Sequence, residues 1–274
     1  MNHHIAKNYW RMHMAPKYET IMVEGEEIVR ITLNRPDIHN PFDENMIAEL
    51  TAAFKAVGKN QKARALIITG AGKSFCAGAD LNWMKRMGQF SFEENVQDAT
   101  GLSRMFQALE DVEIPVIAKV NGAALGGGAG LACACDFVIA SSGAKIGFSE
   151  VKLGLLPGVI SPYVIDRVGA KRATQLFITG ERFDAEMARR LGLFDDVVSP
   201  DDLETVVDSF IAQIMTGGPH AVRECKRLAR TGAHMERGEF KKYCIKAIAR
   251  IRASPEGKEG VSAFLEKREP GWRK

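Results

Sequence analysis

Ser74-Phe75-Cys76-Ala77-Gly78-Ala79-Asp80-Leu81 and Val120-Asn121-Gly122-Ala123-Ala124-Leu125-Gly126-Gly127-Gly128-Ala129-Gly130 are two glycine-rich turns. They follow the apolar runs Ala65-Leu66-Ile67-Ile68-Thr69-Gly70 and Val116-Ile117-Ala118-Lys119-Val120. Each reads as backbone that leaves a strand and opens a helix. The first turn of a helix leaves N–H groups without intrahelical acceptors, and glycine lets the main chain come close to a ligand. Two such turns can aim two N–H donors at one oxygen, the physical requirement for an oxyanion hole.

Around these turns the chain keeps a strand–turn–helix rhythm. Val29, Ile31 and Leu33 alternate with Arg30 and Thr32 as in a half-buried strand, and Asn34-Arg35-Pro36-Asp37 is a turn. Asp43 caps a helix whose apolar positions Met46, Ile47, Leu50, Ala53, Phe54 and Val57 follow the 3.6 period. Strands at 64–69, 116–120 and 137–140 and a helix near 92–110 continue the pattern. Beyond Pro157 the character changes. Ser199-Pro200-Asp201-Asp202 reads as a cap, an N1 proline and first-turn acids, before a stripe of Leu203, Val206, Val207, Phe210, Ile211 and Ile214. Ser254-Pro255-Glu256 starts another helix, carrying Val261, Phe264 and Leu265. The reading divides the chain into a flexible tail at 1–16, a core at 17–199 and a helical region at 200–274 that packs against a partner subunit.

With 274 residues, 46% of them hydrophobic, and a net charge of +3, the chain is expected to be globular. The densest basic cluster, Arg223, Lys226, Arg227 and Arg230, has the spacing of a solvated helix face, so no nucleic-acid partner is expected. Five cysteines and no secretory signal point to a reducing, cytoplasmic setting, and Cys133 and Cys135 read as buried apolar residues without a metal. No apolar run reaches the roughly 20 residues of a membrane span. Core packing is the default for Met84, Met87 and Met105, which otherwise could line an acyl pocket.

Other glycine chemistries fit poorly. A dinucleotide turn needs glycine at 131, where Leu131 stands, and no Gly-Lys-Ser/Thr follows for a phosphate loop. Glycines kept for tight packing would account for one turn more easily than for two.

Several further stretches join the pattern: Asn34-Arg35-Pro36-Asp37-Ile38-His39-Asn40-Pro41, Phe75 to Leu81, Asn121 to Gly128, Cys135-Asp136, and Gly147-Phe148-Ser149-Glu150-Val151-Lys152-Leu153-Gly154-Leu155-Leu156-Pro157. In order and spacing, from about residue 18 to the end, they resemble the enoyl-CoA hydratase/isomerase (crotonase) superfamily. That resemblance implies an α/β fold, a spiral of ββα units forming two sheets, with a helical C-terminal trimerisation region that gives a homotrimer or a dimer of trimers. It also implies an acyl-CoA substrate, coenzyme A being part of that substrate and no separate cofactor being needed.

Carried over residue by residue, the resemblance assigns the oxyanion N–H groups to Ala79 and Gly127. It puts Ala77, Asp80 and Leu81 along the CoA, with His39 near it and Lys267 toward a phosphate. Glu150 matches the second of two hydratase glutamates, the first falls on Gly130, and Gly158 matches a position whose N–H orients a water. The stretch Leu155 to Tyr163, with Gly130-Leu131, is similar to bacterial enzymes acting on methylglutaconyl-CoA and related carboxylated enoyl-CoAs. The expected activity is therefore enoyl-CoA hydration, a hydro-lyase reaction. A Δ3,Δ2-enoyl-CoA isomerase using Glu150 alone is the main rival, and an RNA-binding relative without catalysis is a distant one.

Overall fold

The computed structural model describes residues 18–273, so the expected tail at 1–16 lies outside the described residues. At its centre is strand β3 (Ala65–Gly70), whose first five residues are buried, as a β-branched run in a parallel sheet covered on both faces should be. It pairs in parallel with β2 (Ile28–Leu33) and β5 (Val116–Val120). Strands β7 (Phe137–Ser141) and β10 (Asp196–Val198) extend the sheet on one side, and β1 (Ile21–Glu24) closes the other, antiparallel to β2. Leu66 and Ile68 enter the main core. Ala65, Ile67, Ile117 and Ile139 face the opposite way, onto Leu203, Val207 and Ile211 of α8 (Leu203–Thr216).

A second sheet takes the order β4 (Ser74–Cys76), β6 (Ala123–Leu125), β8 (Lys145–Gly147), β9 (Arg182–Asp184). Each long strand β3, β5 and β7 hands the chain to a short one, β4, β6 and β8, before a helical segment. These are α2 (Leu81–Met87) and α3 (Phe92–Glu110), then α4 (Gly127–Ala134), then a 3-10 turn at Glu150–Leu153 followed by α5 (Ser161–Val168) and α6 (Ala170–Thr179). The result is the expected ββα spiral. The glycine turns thus follow the short strands, not the long ones directly.

Helix α1 (Glu44–Lys59) buries Met46, Ile47, Leu50, Ala53, Phe54 and Val57, and the Asp43 carboxylate accepts from the Met46 N–H at 2.8 Å. Past the short α7 (Ala185–Leu191) and β10, the chain is helical: α8, α9 (Pro219–His234), α10 (Arg237–Ala253) and α11 (Pro255–Leu265). Ser254 caps α11 through the Gly257 N–H at 3.0 Å. Ser199 instead closes a turn by accepting from the Asp202 N–H at 3.2 Å, so Pro200 precedes the helix and α8 begins at Leu203.

The basic cluster on α9 is not the solvated face its spacing implied. Lys226 meets Asp136 at 2.5 Å and the Ile114 carbonyl at 2.8 Å, while Arg230 bonds Asp136 at 3.0 Å and the Glu110 carbonyl at 2.6 Å. Arg223 donates to the Ala63 carbonyl at 2.8 Å, and Arg227 pairs with Glu113 at 2.5 Å. These cations pin α9 to the segments that feed β3, β5 and β7. Burial lowers the Lys226 pKa from its usual value, with Asp136 opposing the shift.

Cys133 and Cys135 are buried, as the apolar reading expected, and so is Cys76; burial pushes the Cys76 and Cys133 thiols up to about 12. Among the described residues no helix is long and apolar enough to cross a membrane, and no group of three or more His, Cys, Asp or Glu is placed to hold a metal.

Candidate active site

The loop between β2 and α1 is the scaffold for the first glycine turn. Asn40 is fully buried; its side-chain amide donates to the carbonyls of Ala71 (2.8 Å) and Ser74 (2.9 Å) and its oxygen accepts from the Arg35 N–H (2.8 Å). The loop's carbonyl at His39 accepts from the Ala77 N–H at 2.9 Å. Phe42 then donates its N–H to the Gly78 carbonyl at 2.7 Å and accepts from the Asp80 N–H at 2.8 Å. Ala79 lies between these two bonds. The turn itself demands glycine, because Gly78 has φ +98°.

The second turn is anchored by the Gly126 N–H, which donates to the Gly147 carbonyl at 2.9 Å; Gly126 has φ +51°. The two turns touch: a β-carbon on Gly126 would stand 3.9 Å from the Gly78 Cα, and one on Gly78 would stand 3.0 Å from the Leu125 carbonyl oxygen. Gly127 opens α4. Neither the Ala79 nor the Gly127 N–H finds an acceptor among the described residues, and both residues are half-buried. Two adjacent main-chain donors of this kind can hold one anionic oxygen without any side chain.

Glu150 arrives at the same place from β8. Its Oε1 lies 3.1 Å from where a Gly126 β-carbon would stand, and its Oε2 is buried without a hydrogen-bond partner. Burial raises its pKa above the ordinary carboxylate value, and a hydrogen bond to its own backbone offsets that in part. A partly dried carboxylate with no cation beside it and one oxygen unpartnered is a competent proton acceptor beside an oxyanion site.

Gly130 lies one turn into α4, its N–H donating to the Gly126 carbonyl at 3.0 Å. There Ile160, 3% exposed, takes the space: a Gly130 β-carbon would be 2.2 Å from Ile160 Cγ2. The surface over Gly130 is thus apolar. The Gly158 N–H donates to the Leu156 carbonyl at 2.9 Å, and α5 starts only at Ser161.

Of the residues expected along CoA, Ala77, Asp80 and Leu81 belong to the first turn. The N–H groups of Ala77 and Asp80 are already engaged, while the Leu81 side chain is exposed. Burial would raise the Asp80 carboxyl, but donors from Asn82, Trp83 and Arg35 outweigh it and hold the pKa below the usual range. His39 is exposed, with its Nδ1 3.0 Å from the Ser74 hydroxyl. Lys267 is exposed past the end of α11 at φ 56°, and among the described residues no bond joins it to either glycine turn. Met105 is buried in the core, and Met87 packs against it. Sequence reasoning missed Phe42 and Ile160. For Phe42 the signal was an apolar residue just before the Asp43 cap, the position of a hydrophobic staple.

Comparison with known proteins agrees with this fold. The family model for enoyl-CoA hydratase/isomerase matches residues 24–274. A crotonyl-CoA hydratase of Syntrophomonas wolfei is 39% identical over 254 residues, 92% of this chain and 96% of that protein. A short-chain-enoyl-CoA hydratase of Clostridium acetobutylicum is 34% identical over 251 residues, 90% of this chain and 95% of that one. The crystal structure of an enoyl-CoA hydratase from Shewanella pealeana superposes with a TM-score of 0.89 at 38% identity, covering 93% of this chain and 97% of its own. With the ββα spiral and the paired glycine turns, these matches place the chain in the enoyl-CoA hydratase/isomerase family, with the crotonase fold.

Proposed function

We propose that the two turns bind the thioester oxygen of an enoyl-CoA between the Ala79 and Gly127 N–H groups while Glu150 moves the proton. The family makes the chain an enzyme of the hydro-lyase class. In this reading Glu150 takes a proton from water as the water oxygen attacks the β-carbon, and the thioester becomes an enolate held by the two N–H groups. Glu150 then returns the proton to the α-carbon, so that one water is added and the carboxylate is regenerated. The single observation that carries this is Glu150 lying against Gly126, at the contact between the two turns, with Oε2 unpartnered.

The finer reading is a branched or carboxylated enoyl-CoA such as 3-methylglutaconyl-CoA. The apolar wall of Gly130 and Ile160 supports it, because a methyl branch on the β-carbon suits such a surface better than a second carboxylate would. An isomerase reading is favoured by the same wall, since a lone carboxylate can carry a proton between carbons. Incubation with enoyl-CoA isomers in ¹⁸O-water separates the two: hydration incorporates the label, isomerisation does not. Faster hydration of 3-methylglutaconyl-CoA than of crotonyl-CoA is expected, and equal rates would count against the finer reading. A homotrimer or dimer of trimers remains part of the proposal, as do CoA contacts at Ala77, Asp80, Leu81, His39 and Lys267.

A further inference from the structure

Phe42 is bound to both glycine turns at once. Its main chain brackets Ala79, donating to the Gly78 carbonyl at 2.7 Å and accepting from the Asp80 N–H at 2.8 Å. Its ring, 1% exposed, lies on the other turn, where a Gly127 β-carbon would stand 2.9 Å from Cδ2 and 3.1 Å from Cε2. Arg35 holds the residues on either side, bonding the Pro41 carbonyl at 3.0 Å, Asp43 at 2.9 Å and Asp80 at 2.8 Å. A main-chain donor cannot re-aim by rotating a side chain. The separation of two such donors is therefore set by whatever is wedged between the segments that carry them.

We infer that Phe42 is a positioning residue that fixes the spacing of the Ala79 and Gly127 N–H groups, an inference that rests on the proposed oxyanion role of those groups. The side chain acts on one donor and the main chain on the other, so shortening the side chain shifts Gly127 relative to Ala79 without breaking the bonds around Ala79.

The test uses 4-(dimethylamino)cinnamoyl-CoA, a push–pull thioester whose absorption moves to the red when its carbonyl is polarised. The wild type is expected to shift the bound probe. Phe42→Val is expected to lose most of that shift and to lower kcat by about 10–100-fold, with KM changing less than about threefold. Gly127→Ala, which drives a methyl into the ring, should do the same. The double variant Phe42→Val/Gly127→Ala should recover part of the shift, because the shorter side chain makes room. Circular dichroism and thermal melting establish that each variant is folded. A folded Phe42→Val with the full shift and wild-type kcat overturns the inference, as does a double variant no better than the worse single one. If Phe42→Val does not fold, Gly127→Ala decides alone, and a full shift there overturns it. A bound probe with no shift in the wild type refutes the oxyanion assignment underneath.

Discussion

Ile160 occupies the space over Gly130: a β-carbon at position 130 would stand 2.2 Å from Ile160 Cγ2 and 2.5 Å from Ile160 Cβ. The two residues interlock, Gly130 on α4 and Ile160 just before α5. The position where the family resemblance puts an acid is thus filled by a neighbour's hydrocarbon, and a single substitution cannot restore that acid. Gly130→Glu alone is expected to cost about 3 kcal/mol or more from overpacking and a buried charge, with no gain in crotonyl-CoA hydration. Gly130→Glu combined with Ile160→Gly should fold and hydrate crotonyl-CoA at least about 10-fold faster than Gly130→Glu does. Thermal melting and loss of the conjugated-thioester absorbance check both, and a Gly130→Glu protein as stable as wild type would contradict the packing argument.

Glu150→Gln removes the proposed proton carrier and is expected to lower kcat by about 10²–10⁴. Its effect on stability should have the opposite sign. The folded-state pKa of Glu150 is raised, chiefly by burial, so between the unfolded value and that raised value the native protein holds more protons than the unfolded chain. Wild-type stability therefore falls as pH rises from about 4.3 through the folded pKa, and Glu150→Gln escapes this loss. The variant should melt higher than wild type at neutral pH, with the gap closing near about pH 4. A gap that widens in acid would mean that the carboxylate is stabilised in the fold.

The residues that were legible in the sequence are those whose environment is local. The six buried positions of α1 are the six the 3.6 period marks, because one helix face against one core leaves a periodic trace. Gly78 and Gly126 were legible as turns, since their positive φ angles require glycine. Strands β4, β6 and β8, three residues each, are too short to show a period, so the ββα unit came from resemblance and not from pattern. Ile160 gave no signal, since nothing in its neighbours names Gly130 as its contact. The α9 cations looked solvated because most of their acceptors lie far away in the chain, and several are main-chain carbonyls, at Ala63, Glu110 and Ile114.

Arg35 joins the caps of two helices, pairing with Asp43 at the start of α1 and with Asp80 at the start of α2. Replacing it by methionine strands two partly buried carboxylates, a loss expected to be roughly 2–4 kcal/mol. The pH dependence follows from the depressed Asp80 pKa. The stabilisation is complete above about pH 3.9, the unfolded value, and is lost as pH falls through the lower folded value. Urea unfolding should therefore show a larger difference between wild type and Arg35→Met at pH 7 than at pH 2, and an unchanged difference would remove Asp80 from the account.

Val261, Phe264 and Leu265 stand three and four residues apart on α11 and are 60%, 82% and 72% exposed. That spacing makes one apolar stripe, and Ile245 and Ile248 on the neighbouring α10 are exposed as well. Side chains of this size left in water on two adjacent helices fit the proposed contact with other copies of the chain. Sedimentation of the wild type is expected to give a trimer or a multiple of it. Phe264→Asp should shift the protein toward monomer while leaving its helical circular dichroism intact, because the substituted side chain is exposed and its loss disturbs no core. If Phe264→Asp sediments as wild type does, the subunit contact lies on another face of the molecule.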